Sequence, residues 1–153
     1  MTTATVTVDW AALGAVPIFA RLSDNQLTRL ALRTTTRTFA PGTVIVREGD
    51  TSMSLYVILS GGVRVDRSRA EGGAVKVAEL GVREAFGEMG LIDDAPRSAT
   101  VTAEAETTCA LLAKWDFQNE IREDPEIAVA LLPVLAQRIR AVNERLGRAA
   151  PGA

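Results

Sequence analysis

The side chains best suited to chemistry lie together between Phe86 and Val101, in the sequence FGEMGLIDDAPRSATV. Two glycines flank Glu88, and a short apolar turn and a loop then lead to Arg97 and Ser98. Glycine lets a ligand approach the backbone closely, and free N–H groups at the start of a helical turn attract phosphate. Arg97 offers a charged fork to phosphate oxygens, and Ser98 adds a hydroxyl donor. Glu88 would repel phosphate but can accept from a sugar hydroxyl, so the set suits the two ends of a nucleotide.

The same spacing also has a simpler interpretation. A Gly-Glu-x-Gly turn, with an arginine nine residues after its acid, can be a loop that carries a surface ion pair. Short motifs of this kind also occur often by chance. From the residue types alone, a nucleotide site and a plain surface loop are both open.

The overall composition narrows the chemistry that is available. The chain has 153 residues and no histidine, which excludes Ser-His-Asp triads and histidine metal ligands. Its single cysteine, Cys109, cannot form an internal disulfide and is expected to be a buried apolar residue. No carboxylate dyad or nucleophile-base pair is evident. We therefore expect no catalysis, no metal and no resident cofactor.

The length of 153 residues is that of one compact domain, and charge and hydropathy limit its partners and its location. Seventeen Lys+Arg against nineteen Asp+Glu give a net charge of -2, which argues against contact with nucleic acid by this chain. No apolar run approaches the roughly 18 residues of a transmembrane helix. Residues 1–12 lack the basic start and apolar run of a secretory signal. The expected location is therefore cytoplasmic.

The elements that must position the segment follow the order helix, strands, helices. Ser23 and Gln26 have the spacing of a capping box and start a helix, which the β-branched residues 34–36 weaken. Short alternating runs between turn signals then predict about eight strands of a β-sandwich or barrel, with Arg67–Glu71 as a hairpin tip. The clearest runs are Thr43–Arg47, Ser54–Leu59, Val63–Asp66, Ala74–Leu80, Ser98–Ala103 and Thr107–Lys114.

The C-terminal third predicts two helices. Asp116 is a candidate cap for a helix over Phe117–Arg122, anchored by Trp115 and Phe117. The residues Asp124-Pro125-Glu126 have the order of a cap, a first-turn proline and an early acid, which is typical of a helix start.

The second of these helices carries a heptad-like apolar stripe with spacings of three and four residues. Pro133 is expected to interrupt the helix and is a candidate hinge, and Gly147 is expected to end it. The stripe either mediates self-association or packs on the chain's own strands, and both alternatives are open. Its members are Leu132, Leu135, Ile139, Val142 and Leu146.

The segment from Phe86 to Val101 resembles the phosphate-binding cassette of the cyclic nucleotide-binding domain family. That family includes the Crp-Fnr regulators, protein kinase A regulatory subunits and cyclic-nucleotide-gated channels. Its pattern is approximately F-G-E-x-[GA]-L-[IL], a variable loop, then P-R-[STA]-A-[TS]-V, and every fixed place is filled. Upstream runs such as VPIF and PGTVI are also similar, so that the resemblance covers roughly residues 16–146.

The resemblance implies a fold and a role for each residue of the cassette. The fold is α+β, an eight-stranded antiparallel β-roll flanked by an N-terminal helix and C-terminal helices. Glu88 would hold the ribose 2′-hydroxyl, Arg97 the exocyclic phosphate oxygens, and Ser98 the same phosphate. The remaining contacts would come from the backbone N–H groups of Gly87, Met89 and Ala99.

Recognition of the base is expected from the last helix. Arg138 and Arg140 are the polar groups best placed to fold over a purine, on which an arginine can stack. Both are equally open to interpretation as solvated helix arginines. The resemblance to the family also implies that Ser98 favours cAMP over cGMP as the ligand, although its hydroxyl is compatible with either.

The organisation expected from these features is an N-terminal extension over residues 1–15, a cyclic nucleotide-binding domain over 16–147 and a flexible tail over 148–153. The function expected is a stand-alone sensor in which the ligand moves the C-terminal helix. A separate effector protein, or a second copy bound through that helix, would detect the movement. Two alternatives are a degenerate domain that serves as an interaction scaffold, and a fragment of a transcriptional regulator without its DNA-binding domain.

Overall fold

Two four-stranded antiparallel sheets form a β-roll in the computed structural model, which describes residues 8–149. The first sheet has the order β1-β8-β3-β6 and the second has the order β2-β7-β4-β5. The strands are β1 Thr35–Phe39, β2 Val44–Val46, β3 Ser54–Ser60, β4 Val63–Ser68, β5 Ala74–Leu80, β6 Ala85–Phe86, β7 Thr100–Ala103 and β8 Thr107–Ala113.

Helices precede the first strand and follow the last strand of the roll, which confirms the expected α+β class. The helices are α1 Trp10–Gly14, α2 Asp24–Leu32, α3 Lys114–Glu123 and α4 Glu126–Ala149, with 3-10 turns at Pro17–Phe19 and Met89–Leu91. No helix within residues 8–149 combines the length and apolar character needed to cross a membrane. Residues 1–7 and 150–153, which belong to the predicted extension and tail, lie outside the described residues.

The apolar residues divide into two clusters. One fills the space between the two sheets and includes Tyr56 and Phe86, whose rings stack at 4.8 Å between centroids. The other packs the helices against the first sheet and includes Leu13 of α1 and Phe117 of α3. The cassette lies where the two clusters meet, because Phe86 belongs to the first and Leu91 to the second.

Local capping signals are confirmed at the starts of α2 and α4. The Ser23 hydroxyl accepts from the Gln26 amide, and the Gln26 side chain accepts from the Ser23 amide. Asp124 accepts from the backbone amide of Glu126 and also from the side chains of Gln26 and Arg29. Helix α2 therefore holds the junction from which α4 departs.

Two strand boundaries differ from the predicted ones and affect the site. β7 begins at Thr100 rather than at residue 98, so Arg97 and Ser98 stay in the preceding loop. β4 continues to Ser68, so Arg67 lies in the strand and not in the hairpin tip.

The residues after α2 form strand β1, because the β-branched threonines that disfavour a helix suit a pleated strand.

The predicted start of α3 is wrong. The helix begins at Lys114, with Asp116 inside its first turn and Ala113 at the cap position without a side-chain hydrogen bond. Trp115 is 65% exposed and does not anchor the helix. Phe117 is fully buried against Phe19, with 5.7 Å between ring centroids. Neighbouring helix positions point in different directions, so burial of one aromatic leaves the other in solvent.

This difference gives a stability prediction. Phe117→Ala is expected to lower the free energy of unfolding by about 3–5 kcal/mol, because it opens a cavity in the helix-facing core. Trp115→Ala on the same helix is the matched control and should change it by about 0.5 kcal/mol or less. Urea denaturation measures both, and equal losses for the two variants would contradict the burial assigned to them.

Helix α4 passes through Pro133 and Gly147 without a break, so both predicted interruptions are wrong. Leu131 and Val134 are buried on either side of the proline, and their packing outweighs the roughly 3 kcal/mol that an internal proline costs. Most of the apolar stripe is exposed rather than packed on the roll, at Leu132, Ile139, Val142 and Leu146.

Candidate functional site

The cassette begins with a glycine that the geometry requires. Gly87 follows β6 with φ of +85°, in the left-handed region that favours glycine. A Cβ atom at this position would lie 2.0 Å from Nη1 of Arg97 and 3.0 Å from the carbonyl oxygen of Ser54. The absent side chain is therefore what leaves room for the Arg97 guanidinium.

Arg97 is fixed from both its backbone and its side chain. Its amide donates to the Asp50 carbonyl at 2.8 Å, and its own carbonyl accepts from Gly49 at 2.8 Å. Its Nη2 donates to the carbonyl of Ser54 at 2.7 Å. The guanidinium carbon lies 5.6 Å from the centroid of the Tyr56 ring, within the range of a cation–π contact. These contacts hold the guanidinium in one position.

The electrostatics of Arg97 are unusual for a buried residue. It is 8% exposed, yet no carboxylate oxygen of residues 8–149 lies within 4.0 Å of it. Burial lowers the pKa of its guanidinium, against a smaller opposing effect of Tyr56. An arginine stays protonated under these conditions. The site therefore contains a buried positive charge that the described part of the protein does not neutralise.

A cavity of about 130 Å³ lies against this charge. Its wall combines polar and apolar surface, and the polar groups come from the cassette and from Arg67 of β4. The volume is smaller than the roughly 300 Å³ at which pockets for whole ligands begin, so it suits the phosphate end of a nucleotide. Its lining is Val46, Val65, Arg67, Phe86, Gly87, Arg97, Ser98, Ala99 and Val101.

The acid of the cassette lies at a second, more open position. Glu88 precedes the 3-10 turn at Met89–Leu91, and its Oε1 lies 3.6 Å from Nη2 of Arg138 in α4. Arg138 also donates to the Met89 sulfur at 3.2 Å. Arg140 is exposed, and within residues 8–149 no hydrogen bond or ion pair joins it to the cassette. Of the two arginines that the sequence offered, the structure therefore brings Arg138 to the site.

Four of the residues predicted from the sequence line the cavity or its wall, namely Gly87, Arg97, Ser98 and Ala99. Glu88 and Met89 are joined to α4 through Arg138 instead. Arg67, Tyr56 and the Ser54 carbonyl are parts of the site that sequence reasoning missed. For Arg67 a signal existed, since it continues the alternation of Val63 and Val65.

Metal chemistry finds no support in the described residues. Within residues 8–149, no group of three or more His, Cys, Asp or Glu side chains is arranged to hold a metal ion. Cys109 is buried between the sheets, and burial raises the pKa of its thiol to about 11. The arrangement around Arg97 is instead that of a site for an anion.

Comparison with known proteins gives the same class of domain. Residues 36–124, more than half of the chain, match the model of the cyclic nucleotide-binding domain. The chain is 33% identical over 130 residues to the "Cyclic AMP receptor protein" of Thermus thermophilus. It is 28% identical over 134 residues to the "CRP-like cAMP-activated global transcriptional regulator" of Mycobacterium tuberculosis. These alignments cover 85% and 88% of this chain but 60% of each relative, so the chain spans under two-thirds of their length.

A solved structure agrees with the sequence comparison. The N-terminal domain of a transcriptional regulator from Streptomyces coelicolor A3(2) superposes with a TM-score of 0.81 at 34% identity. That alignment covers 93% of this chain and 99% of the other. Because family model, curated relatives and fold all agree, the chain belongs to the cyclic nucleotide-binding domain family and is related to the CRP-like regulators within it.

Proposed function

We propose that this chain is a regulatory module that binds a cyclic nucleotide in the cavity around Arg97. The observation that carries the proposal is the guanidinium itself, which is buried beside a cavity with no carboxylate of residues 8–149 near it. An uncompensated buried charge costs several kcal/mol, on the order of 3–5 kcal/mol when a partner is missing. A bound phosphate would supply the missing negative charge.

The cassette residues would divide the ligand between them. Arg97 and Ser98 would bind the phosphate, since both line the cavity. The backbone N–H groups of Gly87, Met89 and Ala99 would complete its cradle. Glu88 would accept from the ribose 2′-hydroxyl, because it lies outside the cavity lining and away from the phosphate. No step of bond making or breaking is part of this function.

The proposed ligand is cAMP rather than cGMP. Ser98 supports this preference, as do the names of the Thermus and Mycobacterium relatives, both of which refer to cAMP. Arg138 would lie over the purine, because it already contacts Glu88 and Met89 beside the cavity. Its planar guanidinium can stack on an aromatic ring.

The proposed output is a movement of helix α4. Arg138 joins this helix to Glu88, so a ribose that hydrogen-bonds to Glu88 would alter the contact that holds the helix. The same helix exposes the apolar side chains of Ile139, Val142 and Leu146. A separate effector protein, or a second copy of the chain, would bind this stripe in one position of the helix and not in the other.

The coupling through Arg138 gives a second prediction. Arg138→Ala is expected to weaken cAMP binding by about fivefold, as fits a half-exposed contact worth about 1 kcal/mol. It should also remove any change in hydrogen exchange of α4 amides when cAMP binds. Arg140→Ala, two residues away on the exposed side, is the matched control and should leave both measurements unchanged. Equal effects of the two variants would contradict the assigned coupling.

Isothermal titration of the purified chain with cAMP and with cGMP tests the proposed function. We expect saturable binding of one nucleotide per chain, tighter for cAMP than for cGMP. Saturable binding of neither nucleotide would overturn the function. Tighter binding of cGMP would overturn only the proposed choice of base.

A further inference from the structure

Strand β4 places an arginine where the inner face of a β-roll normally carries an apolar side chain. Val63 is buried and Val65 is half-buried in the cluster between the sheets, and both face inwards. Arg64 and Asp66 face the other way, since they form an ion pair of 2.8 Å with each other. Successive side chains of a strand point to opposite faces, so Arg67 continues the inner row.

The inner row leads Arg67 to the phosphate end of the cavity. Arg67 lines the cavity together with Arg97 and Ser98. The part of the chain between residues 8 and 149 offers no carboxylate within 4.0 Å of Arg67. Two guanidinium groups therefore line one small space, one from β4 and the other from the loop before β7. Like charges repel, so this arrangement is favourable only when an anion occupies the space.

Glu48 is the acidic residue that interacts electrostatically with Arg67, but its carboxylate oxygens accept hydrogen bonds from another residue. Hydrogen bonds from Ser68 lower the pKa of the Glu48 carboxyl, and the positive charge of Arg67 lowers it further by a smaller amount. Both Glu48 oxygens accept from Ser68, one from its amide and the other from its hydroxyl. Glu48 thus steadies the end of β4 and leaves the Arg67 guanidinium available to a ligand.

We propose that Arg67 is a ligand-contacting residue of this pocket, a second cation that binds the phosphate of the cyclic nucleotide opposite Arg97. The proposal rests on the proposed function and adds a residue to its site. Arg97 is buried and held in one position, so it determines where the phosphate binds. Arg67 is exposed and can move, so it supplies attraction that depends on salt.

Because Arg67 is exposed, its contribution to cAMP affinity should depend on the salt concentration. At about 0.01 M salt, charges interact over roughly 30 Å, and at about 1 M over only roughly 3 Å. Removing Arg67 should therefore weaken cAMP binding most at low salt. If Arg67 instead stacked on the purine, its removal would eliminate a contact that salt screens little. Binding would then weaken at both salt concentrations.

The test compares Arg67→Gln with Arg69→Gln by titration with cAMP at low and high salt. Arg69 lies in the turn of the same hairpin and outside the cavity lining. Arg69→Gln therefore changes the net charge as much as Arg67→Gln does, without removing a residue that lines the cavity. We expect Arg67→Gln to weaken binding about fivefold at low salt and less than about twofold at high salt, as fits an exposed ion pair. Arg67→Lys, which keeps the charge, should restore most of the affinity.

Three results would overturn the inference while the wild-type chain still binds cAMP. They are an unchanged affinity for Arg67→Gln, an equal loss for Arg69→Gln, or a loss that is the same at both salt concentrations. Absence of binding by the wild-type chain overturns the proposed function and this inference together, so the two failures are distinguishable. Because Arg67 is exposed, its replacement should leave the melting temperature unchanged, which the same samples verify.

Discussion

Replacing Arg97 with alanine is expected to weaken cyclic nucleotide binding by about 30-fold to several-thousand-fold. That range corresponds to the roughly 2–5 kcal/mol lost when one partner of a buried, hydrogen-bonded charge pair is removed. The cavity would keep its shape on the Ser98 side, but the charge that attracts the phosphate would be gone. Isothermal titration with cAMP measures the loss.

The stability of the Arg97→Ala variant separates a binding role from a structural one. The folded chain without ligand gains no ion pair from Arg97 within its described residues, so the variant should remain folded. What it loses is the hydrogen bond to the Ser54 carbonyl and the contact with the Tyr56 ring. An intact melting transition combined with unchanged cAMP affinity would contradict the role assigned to Arg97.

Arg97→Lys is the control that isolates geometry from charge. Lysine keeps the positive charge but lacks the planar fork that matches two phosphate oxygens. We therefore expect an affinity between those of the wild type and Arg97→Ala. Full affinity in the lysine variant would indicate that charge alone is recognised.

Replacing Gly87 with alanine is the second change with a large expected effect. The new Cβ would meet Arg97 Nη1 at 2.0 Å, so the guanidinium must move away from the position that Ser54 fixes. Loss of charge-assisted hydrogen bonds of about 1.5–3 kcal/mol predicts weaker cAMP binding by about tenfold to a hundredfold. Titration of the folded variant measures it.

Gly42→Ala provides a closely matched control for that change. Gly42 has the same φ of +85°, but a Cβ there would meet nothing within 4 Å. In both variants the free energy of unfolding should fall by the roughly 1–2 kcal/mol that a left-handed conformation costs an ordinary residue. Only Gly87→Ala should lose affinity. Equal affinity in the two variants would contradict the steric role of Gly87.

Features determined by neighbouring residues were predictable from the sequence. The capping box of Ser23 and Gln26 depends on residues three apart, and the structure contains both of its hydrogen bonds. The strand over Ala74–Leu80 is bounded by glycines and has the predicted limits. The cassette was identifiable because its residue types are concentrated in one short segment.

Features determined by distant contacts were not predictable in the same way. Arg138 and Arg140 are alike in sequence context, and only the position of α4 beside Met89, 49 residues earlier, distinguishes them. Helix α4 continues through Pro133 because buried neighbours pack on other elements. The sequence predicts Arg67 in a turn, whereas β4 extends beyond its apolar residues to Ser68.

The central claim is that a cyclic nucleotide binds at the cassette, and amide NMR spectra recorded during a cAMP titration test it most directly. The account predicts saturable shifts for the Gly87, Met89 and Ala99 amides and for the Nε–H group of Arg97. Residues of the helix-facing core outside the cavity lining, such as Leu30 of α2, should not shift. Saturation without shifts at the cassette, or no shifts at all, would contradict the account.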